Sequence, residues 1–458
     1  MKKSRNYIDL VMFIIAFILM IAIALIFWYT WNNFYRTLIK DPFYEKGSLL
    51  LTLVYLIIYF LFSRIYEGFR VGFLKNSEII YSQSLSIIFT NFIIYMQISL
   101  LSKRLVNPVP LAIMTIVEII VVIVWSTLCN KLYFRLFQPI NMIMIYSNEN
   151  VSNLLLKIKG HSDKYNICKS INSNIGLENI KREIEYFEAV IICDVDSSLR
   201  NKIVKYCYKK SIRIYLTPKI SDIIIQSSDK LHIFDTPLLL FKNNGLSYTQ
   251  KFFKRAMDIT ISFVTIIAIL PLMIIAALLI KIYDGGPIVF KQKRLTINDK
   301  IFEIYKFRSM IVDAEKDGEA RLASRNDCRI TPVGKIIRKF RIDELPQLFN
   351  ILKGDMSLVG PRPERPEIAE QYTELMPEFE FRTKVKAGLT GYAQVMGKYN
   401  TTPYDKLKLD LMYIGNYSIF MDLKLMLMTI KILFMSDSTE GIAEGEILPE
   451  LAVSDNKK

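Results

Sequence analysis

Histidine and cysteine are scarce in this 458-residue chain: two histidines, His161 and His232, and five cysteines, at 129, 168, 193, 207 and 328. No C-x-x-C pair occurs, and neither histidine lies near a cysteine cluster. These absences exclude the ligand spacings of a zinc site and a disulfide framework, and they fit a reducing compartment. Any metal would have to be held by carboxylate oxygens, which suits Mg²⁺. Glycine is missing where a dinucleotide fold needs it, because the apolar run NMIMIYS (141–147) leads straight into NENVSN. The phosphate-cradling glycine turn of that fold is therefore absent. Internal repeats and low-complexity segments are absent too.

What the chain has in excess is apolar residue and positive charge. The hydrophobic fraction is 52%, mean hydropathy is +0.26 and the formal net charge is +15. Residues 10–29 contain no charged residue, and 20 such positions span a hydrocarbon core of ~30 Å. The block follows MKKSR, is longer than a signal-peptide core and lacks an A-x-A-like end, so it is read as a retained anchor. Residues 47–63, 79–102 and 105–128 supply three more candidate spans, the last containing Glu118, which needs a partner or water and has no assigned role. Lys and Arg near the segment ends favour an even number of crossings with both ends cytoplasmic. Phosphorylated substrates and anionic membrane lipids suit the basic surface, and no nucleic-acid motif accompanies it.

Residues 136–250 read as a small parallel α/β domain, with strands at 141–147, 189–195 and 212–218 and a helix near 199–210. Next comes an uncharged run, 259–280, with cations on both flanks and Pro271 at its middle. Basic flanks on both sides predict a re-entrant hairpin over 256–282 that dips into one leaflet and returns, broken at Pro271.

Residues 288–435 carry the chemistry. KFRSM (306–310) follows a predicted strand, IFEIY, and places Lys306 and Arg308 close together. TPVGKIIRKF (331–340) predicts a helix capped by Thr331, with Arg338 among its cations. Then RIDELPQLFN (341–350) sets two acids, Asp343 and Glu344, side by side at the expected start of a second helix. Leu345, Leu348, Phe349 and Leu352 would form its apolar face and Gly354 its end. A helix N-terminus and four preceding cations should keep both acids ionised and attract a phosphoryl group with its Mg²⁺. An aspartate so placed can attack phosphorus. Downstream, PRP (361–363) brackets Arg362 between two prolines, which should present its guanidinium at low entropic cost. The stretch 417–434 mixes apolar residues with Asp422, Lys424 and Lys431, as an interfacial helix would.

The order KRAMD (254–258), apolar hairpin, KFRSM, RKFRIDELPQLFNILKGDMSLVGPRP (338–363) and AGLTGYAQV (387–395) resembles the polyprenyl-phosphate hexose-1-phosphate transferases. These are the large monotopic phosphoglycosyl transferases that start O-antigen and capsule synthesis. The resemblance covers residues ~250 to 435, and the segments ahead of it look like the N-terminal half of the full-length members. It implies an α/β membrane protein with four transmembrane helices (1–135), a Rossmann-like domain (136–250), a mainly helical catalytic domain (251–435) and an acidic tail (436–458). It implies an enzyme of the bacterial plasma membrane with a cytosolic catalytic domain, a homodimer, using a UDP-sugar (glucose or galactose) and undecaprenyl phosphate with Mg²⁺. Asp343 would be the nucleophile, Glu344 its dyad partner and co-ligand of Mg²⁺, and Lys306, Arg308, Arg338 and Arg362 the phosphate-binding cations. The chain departs from the pattern at Ile342, where leucine is commoner, and at Arg341, where many members have a small hydroxyl residue; Arg341 has no assigned role. The alternatives are a membrane glycosyltransferase that releases UDP, and a non-catalytic scaffold or regulator of polysaccharide assembly.

Overall fold

The computed structural model describes residues 8–39, 44–147, 154–155, 158, 162–241, 245–312, 327, 329–397 and 401–433; the acidic tail and His161 lie outside the described residues. The chain divides into two compact units, residues 1–219 and 220–458.

The first unit opens with four long helices, α1 (Ile8–Thr30), α2 (Glu45–Ile65), α3 (Asn76–Leu101) and α4 (Val109–Leu136). Along α1, Leu19, Ile23, Phe27 and Trp31 recur at four-residue intervals and are all but fully buried. The opposite face carries Phe13, Phe17 and Leu25 exposed. A helix apolar on both its packed and its open side is built for hydrocarbon. Each of the four helices is long and apolar enough to cross a membrane. Glu118 is fully buried inside this bundle, where it accepts hydrogen bonds from Tyr55 Oη at 2.8 Å and Asn91 Nδ2 at 2.9 Å. A second buried group joins Tyr59 and Ser63 to Gln83, at 2.8 and 2.9 Å. Such interhelical bonds contribute ~0.6–2 kcal/mol each and fix the rotation of one helix against another.

After α4 the chain forms a four-stranded parallel sheet of order β2–β1–β3–β4, with β1 at Ile140–Tyr146, β2 at Tyr165–Asn172, β3 at Ala189–Cys193 and β4 at Arg213–Leu216. Helices α5 (Leu177–Ile184) and α6 (Ser197–Lys209) make the connections. β1 buries Met142 through Ile145 and β3 all five of its residues, which is why both read as unbroken apolar runs. β2 was not anticipated. Its sequence, YNICKSIN, is polar because it is an edge strand with little buried surface.

The second unit begins with α7 (Ile220–Gln226), whose Ile220 and Ile223 pack on Leu407 and Leu411. This unit starts at Ile220. A hairpin follows, β5 (Asp229–Ile233) and β6 (Thr236–Leu240), every residue of which is exposed. Then α8 runs unbroken from Tyr248 to Asp284, opened by a capping box between Ser247 and Gln250 and closed by Gly285 in the left-handed region. Pro271 lies inside it without ending it, so the expected apolar segment is one continuous helix, the fifth long and apolar enough to span. Proline removes a single i→i−4 hydrogen bond, which a helix of 37 residues tolerates.

Around α8 fold the antiparallel pair β7 (Val289–Leu295) and β8 (Ile301–Phe307), helices α9 (Pro332–Lys339) and α10 (Gln347–Lys353), and the parallel pair β9 (Ser357–Val359) and β10 (Gly388–Thr390). Helices α11 (Pro366–Leu375), α12 (Tyr392–Met396), α13 (Pro403–Gly415) and α14 (Ile419–Leu433) complete the unit. α14 turns its charges inward, contrary to a simple interfacial pattern. Asp422 is fully buried and pairs at 2.6 Å with Lys254 of α8, itself nearly buried, while Ile419, Phe420 and Leu423 face out. Lys254, counted from sequence as a membrane-flanking cation, is a core ion-pair member.

Candidate active site

The site is built on the short chain between α9 and α10. Thr331 Oγ1 accepts from Gly334 N at 2.9 Å and starts α9, as its sequence predicts. The helix ends at Lys339, and Arg341 then adopts a left-handed conformation, φ 53°, which redirects the chain. Ile342–Glu344 form one 3₁₀ turn closed by Glu344 N to Arg341 O at 3.2 Å and Leu345 N to Ile342 O at 3.1 Å. The acids therefore precede the second helix instead of opening it. Pro346 has no N–H to give Ile342, so an α-helical ladder cannot run back through the acidic pair and α10 starts at Gln347. α10 ends at Gly354, φ 100°, as expected, but its buried face differs from the predicted one. Phe349 is exposed, whereas Asn350 is fully buried, accepting from Tyr305 N at 2.9 Å and donating to Glu303 O at 2.7 Å. Beneath the turn, Ile342 and Leu345 pack against Phe307, Ile337 and three residues of α8: Met273, Ala276 and Ile280.

Three cations converge on Glu344, whose side chain is only 13% exposed. Arg362 Nη2 lies 3.2 Å from Oε1, Lys306 Nζ 3.8 Å from the same oxygen, and Arg341 Nη1 3.8 Å from Oε2. Burial pushes the Glu344 carboxyl up, but Arg362, Lys306 and Arg341 together outweigh it and hold it at about 2. Asp343 goes the other way, to about 6: burial comes first, and the neighbouring Glu344 charge adds to it against Lys306 and Arg338. Asp343 is thus ionised at neutral pH with a far smaller margin than Glu344. The two carboxylates share one patch of positive charge, and Glu344 takes most of it. Lys306 is pulled below its ordinary value by burial, which exceeds the opposing pull of Glu344.

Of the predicted cations, Lys306 and Arg362 meet at Glu344, and Arg338 acts on Asp343. Arg308 does something else: its Nη2 donates to Asp284 at the end of α8 and its backbone N to Ile288 O at 2.9 Å, tying β8 to that helix. Arg341 was given no role and turns out to face Glu344; its left-handed backbone was not foreseeable from residue type, since few non-glycine residues adopt it.

The PRP loop is held tightly. Four successive carbonyls each accept a hydrogen bond: Pro361 from Gly388 N at 2.9 Å, Arg362 from Arg382 Nη2 at 3.1 Å, Pro363 from Arg294 Nη1 at 3.1 Å and Glu364 from Leu295 N at 3.0 Å. Rigid presentation of Arg362 thus comes from these bonds as well as from its prolines. Gly388 allows this closeness, because a Cβ there would run into the backbone of Gly360.

Among the described residues no group of three or more acidic, histidine or cysteine side chains could hold a metal ion without help. Two adjacent carboxylates do fit Mg²⁺, which commonly takes one or two protein carboxylates and fills its octahedron with phosphate oxygens and water. An Asp-x-Asp pair, Asp194 and Asp196, also exists, at the end of β3 in the first unit. Asp196 is engaged there in capping α6, its Oδ2 accepting from Ser198 N at 2.8 Å.

Residues 249–436 match the bacterial sugar transferase family. The chain is 44% identical over 183 residues to a UDP-N-acetylgalactosamine-undecaprenyl-phosphate N-acetylgalactosaminephosphotransferase of Aeromonas hydrophila, a match covering 39% of this chain and 43% of that protein. It is 42% identical over 202 residues to an undecaprenyl-phosphate glucose phosphotransferase of Komagataeibacter xylinus, covering 42% and 38%. With EpsL of Bacillus subtilis, an uncharacterized sugar transferase, identity is 37% over 187 residues, 41% of this chain and 90% of EpsL. The chain thus spans about two fifths of the length of the first two relatives and nearly all of the third. The matched segment contains the acidic turn and every cation around it, and the chain belongs to the bacterial sugar transferase family.

Proposed function

We propose that this protein transfers a hexose-1-phosphate from a UDP-sugar to undecaprenyl phosphate, releasing UMP, as the first membrane step of capsule, O-antigen or exopolysaccharide synthesis. The observation that carries the reading is the asymmetric acidic pair. Glu344 is fully compensated by three cations, while Asp343 is ionised just below neutral pH and only partly compensated. A desolvated carboxylate with that titration is available as a nucleophile at pH 7.

In the first half-reaction an Asp343 carboxylate oxygen bonds to the β-phosphorus of the UDP-sugar. The bond from that phosphorus to the bridging oxygen breaks, and UMP leaves with the electron pair. In the second, an oxygen of undecaprenyl phosphate attacks the same phosphorus, the aspartyl–phosphorus bond breaks and the Asp343 carboxylate returns. No proton need move. Arg362, Lys306 and Arg338 would bind the phosphate oxygens, whose charge develops where these cations already converge. Mg²⁺, held by Asp343 and Glu344, supplies charge neutralisation for the diphosphate when bound.

The placement of α8 supports a re-entrant helix in a cytosol-facing enzyme of the plasma membrane. Lys254, Asp258 and Ser262 before Pro271 and Met273, Ala276 and Ile280 after it are all buried within the second unit, whereas 263–272 contains no buried residue. Between them Ile266 and Ile269 rest half-buried on the same core while Phe263, Val264, Ile267 and Leu270 face out, and a helix held along one side by one domain with an apolar outer side suits seating in a single leaflet. The parallel sheet of the first unit would be the Rossmann-like domain of the full-length architecture. A homodimer is part of this reading, and the uncovered strands of the β5–β6 hairpin, marginal on their own, favour a second copy as its support.

The deciding experiment incubates the purified protein with undecaprenyl phosphate, Mg²⁺ and UDP-glucose, UDP-galactose or their N-acetylated forms, and identifies the nucleotide released. UMP from wild type and none from Asp343→Asn is expected. UDP in place of UMP, or an Asp343→Asn variant of normal activity, would overturn the assignment.

A further inference from the structure

Resting on that functional reading, we propose that Arg382, anchored by Asp410, is a positioning residue that sets the reach of Arg362 toward Glu344. Arg382 lies on the 3₁₀ segment Pro377–Lys384, outside the motifs that identify the family segment, and no sequence signal marked it. It is 7% exposed and Asp410, on α13, is 1% exposed. Its Nε donates to Asp410 Oδ2 at 2.7 Å, its Nη2 to the carbonyl of Arg362 at 3.1 Å, and its Nη1 stands 3.9 Å from Glu364 Oε1. The guanidinium also stacks on the Phe379 ring, 4.7 Å from its centroid. All three nitrogens and the plane of one side chain are thereby fixed.

The geometry is directional. The carbonyl that Arg382 holds belongs to the residue whose guanidinium meets Glu344 3.2 Å away. Arg362 is otherwise a long side chain, 45% exposed, on an irregular loop. Fixing its peptide plane fixes where its side chain starts, and a planar fork pays for its hydrogen bonds chiefly in that pre-organisation. Arg294 holds the next carbonyl, of Pro363, from the opposite strand pair, so the Arg362 backbone is gripped on both sides. Arg382 touches neither Asp343 nor Glu344 in any hydrogen bond or ion pair above, so it acts through Arg362.

Two measurements on the full-length protein test this, and they fail separately. The first needs no substrate: the rate at which phenylglyoxal modifies Arg362 is followed by mass spectrometry in wild type and Arg382→Gln, with thermal unfolding as the fold control. Release of Arg362 from Glu344 should raise its modification rate several-fold; an unchanged rate in a folded variant overturns the proposal. Should Arg382→Gln not fold, the paired substitution Arg382→Met with Asp410→Leu removes both buried charges together and is read the same way. The second is a double-substitution cycle in UMP release. Arg382→Gln should lower kcat/KM by about 100-fold in the wild-type background, and have little further effect in an Arg362→Gln background. Equal losses in both backgrounds would mean a general structural role and overturn the proposal. A raised modification rate in a protein that releases no UMP from any UDP-sugar would uphold the positioning and overturn the functional reading instead.

Discussion

Replacing Glu344 by Gln should move the acid limb of the pH profile, and the direction follows from the charges around Asp343. In the wild-type protein Asp343 titrates near 6, raised first by burial and second by the Glu344 carboxylate. Only the ionised form can attack phosphorus, so kcat/KM, which reports the free enzyme, should fall about tenfold per pH unit below that point. The amide keeps the size of Glu344 and deletes its charge, removing the second cause and leaving the first. Lys306, Arg341 and Arg362, which now spend their charge on Glu344, are freed to act on Asp343 as well. A unit charge 6–10 Å away at an effective dielectric of about 20 is worth ~2–3 kcal/mol, and each pH unit corresponds to ~1.4 kcal/mol. The limb should therefore drop by about one to two pH units, even though the maximal rate falls as the cations lose their partner. The assay is UMP release at low donor concentration between pH 4 and 8, each variant normalised to its own plateau. A limb that stays near 6, or climbs, would refute the claim that Glu344 holds the Asp343 proton in place.

Other expectations concern stability. Lys254→Met leaves Asp422 buried and uncompensated, and should cost ~3–5 kcal/mol, most of which the pair Lys254→Met with Asp422→Leu should recover; thermal unfolding in detergent reads both. Glu118→Gln should be tolerated, because an amide can donate to Tyr55 Oη and accept from Asn91 Nδ2, whereas Glu118→Leu removes one partner from each, leaving Tyr55 only Asn91 Oδ1 and Asn91 Nδ2 only Thr115, and should cost ~1–3 kcal/mol by the same measurement. Gly354→Ala forces a side chain into a left-handed conformation at the end of α10 and should cost ~1–2 kcal/mol.

The apolar blocks, the Thr331 cap and the Gly354 stop were legible because each is a local property of residue type and spacing. What escaped has a common physical cause: polar residues whose partners are remote in sequence. Asn350 meets β8, Lys254 meets Asp422 168 positions away, and Arg382 meets the PRP carbonyl, none of which a periodicity can register. Edge strand β2 was missed for the complementary reason, that an element burying little has little apolar pattern to show. The acidic turn was misread as a helix start because residue type favours acids at helix N-termini equally in both arrangements. The left-handed Arg341, which residue type does not announce, and the missing N–H of Pro346 together separate a 3₁₀ turn before the helix from the helix itself.

The separate environments of the two acids depend in part on how α8 is packed. Its first half reaches the far end of the site helix: Arg255 donates to the carbonyls of Ile351 and Leu352 at 2.5 and 2.7 Å, countering the negative end of α10. Asp258 accepts from Ser357 Oγ and Leu358 N at 3.0 Å, fixing β9, which leads into the PRP loop. Its second half lies directly under the turn, with Met273, Ala276 and Ile280 against Ile342 and Leu345. The apolar helix therefore sets the floor beneath Asp343, and through α10 and β9 it also sets the two ends from which Glu344 and Arg362 approach each other. Ile342 and Leu345, which flank the acidic pair, are thus covered by an apolar helix long enough to cross a membrane, and burial is the largest cause of the raised Asp343 titration. On the proposed mechanism the helix that would meet the membrane is the one packed beneath the acidic turn, so a change in how α8 seats in a bilayer would reach Asp343 without an intermediary domain.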